Sequence, residues 1–380
     1  MFLLVYQILV LFSLLVFFGI MLMNLRDLAP LPESGVARGP FVSVLVPARN
    51  EMLNIERCVR SLLRQDYLDY EIIVLDDGST DETPSMLRGL LAEAGTRMRV
   101  LQGEQLPPGW HGKAWACFQL AREAKGELML FTDADTFHEP DALRRSAGAL
   151  VESGADMLSL TPRQELGSFW EKLVVPLVYV ILMSYLPIRF VSRTKIPAFC
   201  FANGQFILAR REIYRKIHGH ASVRNVLVED VWLCREVKKT GGRVVAFDGT
   251  SAVSCRMYRS FQGIWEGFSK NLFAGFGYRT AGFFLLMLLV SVFYILPYVF
   301  LAAAFFGAVF TPAMFWLPFA QVLLAILSRL AIAVKFRQPF ISALLHVFSQ
   351  LALLAIACNS FYLIRSGKGA RWKGRRYNFS

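Results

Sequence analysis

GELMLFTDADTFHEP, residues 126–140, carries an apolar run that reads as a buried strand and stops on Asp133, Ala134 and Asp135. Strand side chains alternate in direction, so residues two apart share a face and both carboxylates can point into one small volume. Like charges held that close repel. Either something positive lies between them or the chain turns so that they diverge. Read as an ordinary strand end, the same stretch has Asp135 capping a short helix that starts near Glu139 and Pro140.

The preceding sequence decides between these readings. Phe41 to Val46 (FVSVLV) predicts a buried strand, and Asn54 to Gln65 has Ile55, Val59, Leu62 and Leu63 at helical spacing. Glu71 to Leu75 predicts a second strand, Thr83 to Ala94 a second helix, Met98 to Leu101 a third strand and Ala114 to Ala124 a third helix. Strand and helix alternating at this spacing imply parallel βαβ units with both faces of the sheet covered. Ligands of such sheets collect at the carboxyl ends of the strands. The first strand ends in PARNE (Pro47 to Glu51), the second in DDGSTDET (Asp76 to Thr83) and the fourth in DAD. Three acidic strand ends on one sheet edge describe a site for a metal and the polar parts of a nucleotide, which three unrelated turns do not explain.

With 380 residues, 55% hydrophobic and 13% aromatic, and a mean hydropathy of +0.42, the chain is more apolar than soluble proteins, whose apolar fraction runs about 45–50%. The excess is concentrated. Met1 to Met23 is continuous apolar sequence, and about Ala281 to Phe310, Ala313 to Val334 and Phe340 to Ile364 follow, each near or above the roughly 20 residues a spanning helix needs. About 240 residues of ordinary charge lie between the first and second blocks, enough for one substantial α/β domain. The expected organisation is a transmembrane anchor over 1–24, the α/β domain over 40–280, transmembrane helices over 281–364 and a basic tail over 365–380.

Met1 to Met23 lacks a basic leader, and no small-x-small site follows before Arg26, so it reads as an uncleaved anchor. Arg26 and Arg38 follow it, and the positive-inside bias then puts the α/β domain in the cytosol, on a multi-pass protein of the cell (inner) membrane. Cys58, Cys117, Cys200, Cys234, Cys255 and Cys358 show no CxxC pairing and read as reduced thiols. A net charge of +12 suits acidic lipid headgroups or a phosphate-bearing substrate. So heavily embedded a chain argues against nucleic acid as a partner.

In that order and spacing, VSVLVPARNE, EIIVLDDGSTDET, GKAWA, FTDADT and VEDVWL resemble the family 2 glycosyltransferases with the GT-A fold, over about Phe41 to Asn271. The flanking helices and the tail RWKGRRY (Arg371 to Tyr377) resemble a membrane-bound branch that glycosylates carotenoid or hopanoid-type lipids. The fold this implies is α/β: a GT-A, nucleotide-diphospho-sugar transferase domain with a mainly parallel sheet, plus transmembrane helices at the N- and C-terminal ends. The activity it implies is that of an inverting, metal-dependent hexosyltransferase. A single sugar would pass from a nucleotide sugar, UDP-linked, to a membrane lipid acceptor.

The resemblance also assigns residues. A departing nucleoside diphosphate carries about two to three negative charges, which a hard divalent cation bound by one or two carboxylates can neutralise. Asp135 would be the ligand of that Mg2+ or Mn2+, with Asp133 beside it and nearer the ribose or sugar. Asp77 resembles the acid that receives the N3 hydrogen of uracil, and the backbone at Pro47 and Ala48 and the side chain of Glu51 resemble base and ribose contacts. Lys113 is a point charge suited to phosphate, in a loop stiffened by Pro107, Pro108, Gly109 and Gly112. His111 is a weaker candidate for phosphate or sugar.

An acceptor hydroxyl must lose its proton as it attacks the anomeric carbon. The resemblance gives that base to Asp230 in VLVEDVWLCREV (226–237), with Asn203 and Gly204 in a donor and acceptor contact loop. The structural alternative for Glu229 and Asp230 is a first-turn pair that suits the helix dipole. Arg256 and Arg259 match two basic positions that processive synthases of the family use over the diphosphate. Ser260 stands where those enzymes carry a tryptophan, which argues against a polymer-threading enzyme. A basic juxtamembrane segment is the alternative for the two arginines.

Gly167 to Val191 is nearly apolar enough to span, yet spanning would put DAD and Asp230 on opposite sides of the membrane. Pro176, Pro187, Glu171, Lys172 and Arg189 suit a broken helical segment in the headgroup region, where it can lead a lipid acceptor to the base. Three single spans after a cytosolic domain would place the basic tail outside, against the positive-inside bias. A cytosolic tail requires one block to enter without crossing or to cross twice, and Phe283 to Phe310, broken by Pro297, is the candidate. The alternatives are a processive polysaccharide synthase and a transport protein, the latter disfavoured by few buried charges and no internal repeat.

Overall fold

The computed structural model describes residues 1–35, 37–307 and 311–377, apart from the side chains of Ala370, Arg371, Trp372, Arg376 and Tyr377. The roles expected of those tail side chains lie outside the described residues. The chain divides into two compact units. One holds Leu28–Glu165 and Ile188–Met257, and the other holds Met1–Asp27, Leu166–Pro187 and the chain from Tyr258. The sheet-bearing unit is therefore not continuous over 40–280: it is interrupted at Leu166–Pro187 and ends at Met257.

Among the described residues, ten strands build the first unit: β1 (Val42–Ala48), β2 (Tyr70–Asp76), β3 (Met98–Gln102), β4 (Leu128–Phe131), β5 (Thr136–His138), β6 (Met157–Thr161), β7 (Arg163–Gln164), β8 (Ile207–Arg210), β9 (Val244–Asp248) and β10 (Val253–Cys255). The main sheet has the order β3-β2-β1-β4-β8-β6-β9. Every adjacent pair in it is parallel except those that β8 makes with β4 and β6. Parallel strands are covered on both faces, which is why β4 reads as an unbroken apolar run and β1 as one interrupted only by Ser43. Val44, Val46, Ile72, Val74, Leu128, Leu130, Leu158, Phe206 and Leu208 share one buried core. Against it, helix Ile55–Leu63 lays Ile55, Cys58, Val59 and Leu62, and helix Thr83–Ala94 lays Leu87 and Leu90.

A small second sheet, β5-β10-β7, accounts for the residues after the DAD turn. The helix expected near Glu139 and Pro140 starts instead at Ala142, with Asp141 at its N-cap. Asp135 is not its cap, because β5 intervenes and pairs antiparallel with β10.

In the second unit, four helices among the described residues are long and apolar enough to cross a membrane: Phe2–Asp27, Thr280–Phe305, Pro312–Lys335 and His346–Arg365. The span at Thr280–Phe305 is broken into Thr280–Tyr294 and Leu296–Phe305, with Pro297 in the first turn of the second piece. Proline has no N–H and its ring crowds the carbonyl four residues earlier, so the helix restarts there. The Gly167–Val191 stretch is broken as expected, into Phe169–Val174, Leu177–Tyr185 and Arg189–Arg193, the last piece belonging to the sheet-bearing unit. Asn24 fixes the second break, its Nδ2 donating to the carbonyls of Met183 (2.7 Å) and Leu186 (2.6 Å). Near the end of the chain, β11 (Ala370–Trp372) and β12 (Arg375–Tyr377) form an antiparallel hairpin.

Candidate functional site

The carboxyl ends of β1 and β2 are built as one piece. Ala48 and Asp76 are register partners, and the Asp77 N–H donates to the Ala48 carbonyl at 2.8 Å. Beyond them, two loops bond to each other. Asn50 N–H donates to Ser79 Oγ (2.9 Å), Glu51 N–H to Thr83 Oγ1 (2.8 Å) and Thr80 N–H to Asn50 Oδ1 (2.8 Å). Arg49 crosses the gap and donates to the carbonyls of Asp77 and Gly78. Gly78 takes φ of 66°, the left-handed conformation glycine adopts without steric cost, and lets the second loop turn back. Pro47, Ala48, Glu51 and Asp77 are thus brought to one edge, with Glu51 and Asp77 both buried.

At the end of β4 the chain turns, and the two acids take different partners. Asp133 Oδ1 meets Lys113 Nζ at 2.7 Å, and Asp135 Oδ1 accepts from Cys255 Sγ at 3.3 Å. Burial, then the nearby acids, pushes the Cys255 thiol well up, so it stays protonated as a donor. One of the two resolutions of the like-charge problem is in use, a positive partner for Asp133, while Asp135 is held by a neutral thiol.

Lys113 lies at the start of helix Gly112–Glu123, a position the helix dipole makes unfavourable to a cation. Two carboxylates compensate, Asp133 and, at 3.0 Å, Glu229. Burial lowers the Lys113 ammonium, but these acids more than reverse that and hold it well above its ordinary value. Glu229 and Asp230 open helix Glu229–Lys239. Asp230 Oδ2 accepts the Gly204 N–H and Oδ1 its neighbour Val231 N–H, each at 2.8 Å. Burial and then the Glu229 charge outweigh Lys113 and these two donors, and raise the Asp230 carboxyl to about 6. A carboxylate so placed is charged at neutral pH and can accept a proton.

The loop that presents Gly204 is anchored at both sides. Asn203 N–H donates to Ser159 Oγ (2.8 Å), and Thr132 Oγ1 donates to the Gln205 carbonyl (2.8 Å). A Cβ on Gly204 would stand 2.9 Å from Lys113 Nζ and 3.4 Å from Asp230 Oδ2, so the glycine admits both charged groups. The Asn203 side chain itself turns back, its Oδ1 accepting the Gln205 N–H at 3.0 Å. Arg256 follows β10, and its N–H donates to the Asp135 carbonyl at 3.3 Å. His111 is taken up by the backbone at Asn225, 3.0 Å from Nε2. Arg259 belongs to the other unit, where Ser260 caps helix Phe261–Gly275 by accepting the Gly263 N–H at 3.1 Å.

Two positioning features are not singled out by the sequence. Glu229 reads as a dipole-suited acid in sequence, and its bond to Lys113 spans helices far apart in the chain. Lys238, 2% exposed, points its ammonium at the carbonyls of Phe190 (3.3 Å), Thr194 (3.0 Å) and Phe199, fixing the segment that leads into the Asn203 loop. Among the described residues, no group of three or more His, Cys, Asp or Glu is placed to hold a metal. Asp133 and Asp135 fit the other kind of site, in which one or two carboxylates bind a hard cation and substrate oxygens complete its shell.

Residues 43–218 match the model of Glycosyl transferase family 2. Over 241 residues the chain is 30% identical to a 4,4'-diaponeurosporenoate glycosyltransferase of Staphylococcus aureus (strain USA300), a match covering 62% of this chain and 62% of that relative's length. The mannosyltransferase PcManGT from Pyrobaculum calidifontis, solved with GDP-Man and Mn2+, superposes with a TM-score of 0.53 at 20% identity over 94% of this chain and 98% of that one, a likeness of fold. The parallel sheet with its acidic strand ends is therefore a GT-A-like fold, and residues 43–218 within it are similar to glycosyl transferase family 2.

Proposed function

We propose that the chain transfers a single sugar, with inversion, from a UDP-sugar to a lipid acceptor in the membrane. The observation that carries this reading is the cluster at the strand ends: Asp230, raised to about 6 and gripped by the Gly204 amide, beside the Lys113–Asp133 ion pair. Asp230 takes the proton of the acceptor hydroxyl. Its two backbone donors fix the carboxylate's orientation while leaving it basic. Lys113 shares its charge between Asp133 and Glu229, and is positioned to follow negative charge onto the leaving diphosphate. Asp77 and Glu51 hold the base and ribose, and Arg256 serves the diphosphate.

Asp133 and Asp135 are the residues that would hold a divalent cation, Mg2+ or Mn2+. When bound it would neutralise charge developing on the diphosphate. A lipid acceptor is supported by the four helices able to cross a membrane and by the relative's action on a diaponeurosporenoate. The same reading keeps the sheet-bearing unit in the cytosol, where nucleotide sugars are supplied, with Gly167–Val191 in the headgroup region. Ser260 supports single transfer, since it is spent on a helix cap.

Binding of UDP, compared with GDP, to the purified chain with and without EDTA tests the donor half of this reading. UDP should bind in Mg2+ or Mn2+ and weaken at least tenfold on chelation, and Asp135→Ala should remove the metal dependence. Full affinity in excess EDTA, or preference for GDP, would contradict it.

A further inference from the structure

Arg329 lies within Pro312–Lys335, one of the helices able to cross a membrane, and is 1% exposed. Its Nη1 donates to the Pro176 carbonyl (3.2 Å) and to Gln338 Oε1 (3.4 Å), while Nε and Nη2 have no hydrogen-bond partner. A guanidinium has no acceptor and cannot shed its charge, so these N–H groups stay donors. Asp27, Glu171 and Glu266 are the acids of this unit, and Arg329 forms no ion pair with any described residue. The Glu171 carboxylate is occupied by the N–H groups of Gly167 and Ser168.

The unspent groups around Arg329 share one character. Gln338 Nε2 is buried without a partner, and so is His346 Nδ1. Gln350 Nε2 lies 3.3 Å from His346 Nε2. An amide nitrogen only donates, so by this hydrogen-bond assignment His346 Nε2 is the acceptor and Nδ1 carries the proton. The Arg329 charge acts on His346. Arginine, amide and imidazole thus offer donors alone, beside a full positive charge. What satisfies such a set is a group with several acceptor oxygens and a negative charge.

The helix tells where that group comes from. Arg329 is roughly 9 Å short of Lys335 at about 1.5 Å per residue, and Lys335 and Arg337 mark a polar helix end. The same helix exposes Leu323, Leu327 and Val334, a face suited to acyl chains. A buried, uncompensated cation at that depth marks a functional site by default. We propose that Arg329, Gln338 and His346 form a binding site for the oxyanion head, carboxylate or phosphate, of a membrane lipid. This goes beyond sugar transfer and does not depend on it.

The test is direct binding to the lipid-stripped full chain in neutral detergent. Oleate, phosphatidylglycerol, uncharged dioleoylglycerol and inorganic phosphate are titrated separately, with thermal unfolding and native mass spectrometry as readouts. One or both anionic lipids should raise Tm by about 3–6 °C near saturation and leave a one-to-one adduct, whereas dioleoylglycerol should do neither. The tighter of oleate and phosphatidylglycerol identifies the head as carboxylate or phosphate. Arg329→Gln should abolish the shift, and Arg329→Lys, which keeps charge without the fork, should retain part of it. If Arg329→Gln does not fold, Gln338→Leu carries the test and should weaken the adduct at least threefold. An equal shift from dioleoylglycerol, a full effect from inorganic phosphate alone, or undiminished binding in the Arg329 and Gln338 variants would overturn the proposal.

Discussion

A carboxylate raised to about 6 meets the two demands of the proposed general base: it is charged at neutral pH, and it is basic enough to accept a proton. At Asp230, burial and Glu229 supply the upward push, and the Gly204 and Val231 amides limit it. The sign of the pH dependence follows. Only the deprotonated form acts as base, so kcat/KM should be level above about pH 7 and fall toward tenfold per unit below about 6. Asp230→Asn should cost two to four orders of magnitude in turnover, about 3–5 kcal/mol of barrier, and flatten the acid limb while UDP still binds. A pH–rate profile on both proteins checks this. An acid limb that survives in the variant would take the base role away from Asp230.

Among the elements, helix Glu229–Lys239 has two tasks: Asp230 at its start faces the Gly204 loop, and Lys238 near its end holds the 190–199 segment by three carbonyls. Lys238→Met should destabilise the fold by about 2–4 kcal/mol, because the carbonyls lose a buried charged donor. Hydrogen exchange in residues 190–203 should then rise more than in β1 or β4, and uniform change across the sheet would argue against a local role. Elements of this kind differ in how far sequence reveals them. The strands β1, β2 and β4 are legible because two-sided burial writes apolar runs, and their helices because apolar residues recur at helical spacing. β5, β7 and β10 are two or three residues each, too short for any period to register, so the residues after Asp135 suggested a helix cap. The acidic strand ends, Lys113 and Asp230 stand out by motif. The residues that support them do not: Cys255 meets Asp135 across 120 residues, and Lys238, which holds the segment before the Asn203 loop, bonds to carbonyls, which have no sequence signature.

Over the whole molecule, neither unit is one continuous piece of chain, for the path leaves the sheet-bearing unit at Glu165 and returns at Ile188. The apolar stretch that leaves and returns there lies, in sequence, between Asp135 and Asp230, and it suits the lipid acceptor proposed above. The deciding measurement is mass spectrometry of the lipid fraction after membranes bearing the wild type or Asp230→Asn are given a labelled UDP-sugar and total lipid extract. The account predicts a labelled lipid one hexose heavier than its acceptor, with UDP released in equal amount, and its loss in the variant. A ladder of sugar increments, label only in water-soluble products, or the same lipid product from Asp230→Asn would contradict it.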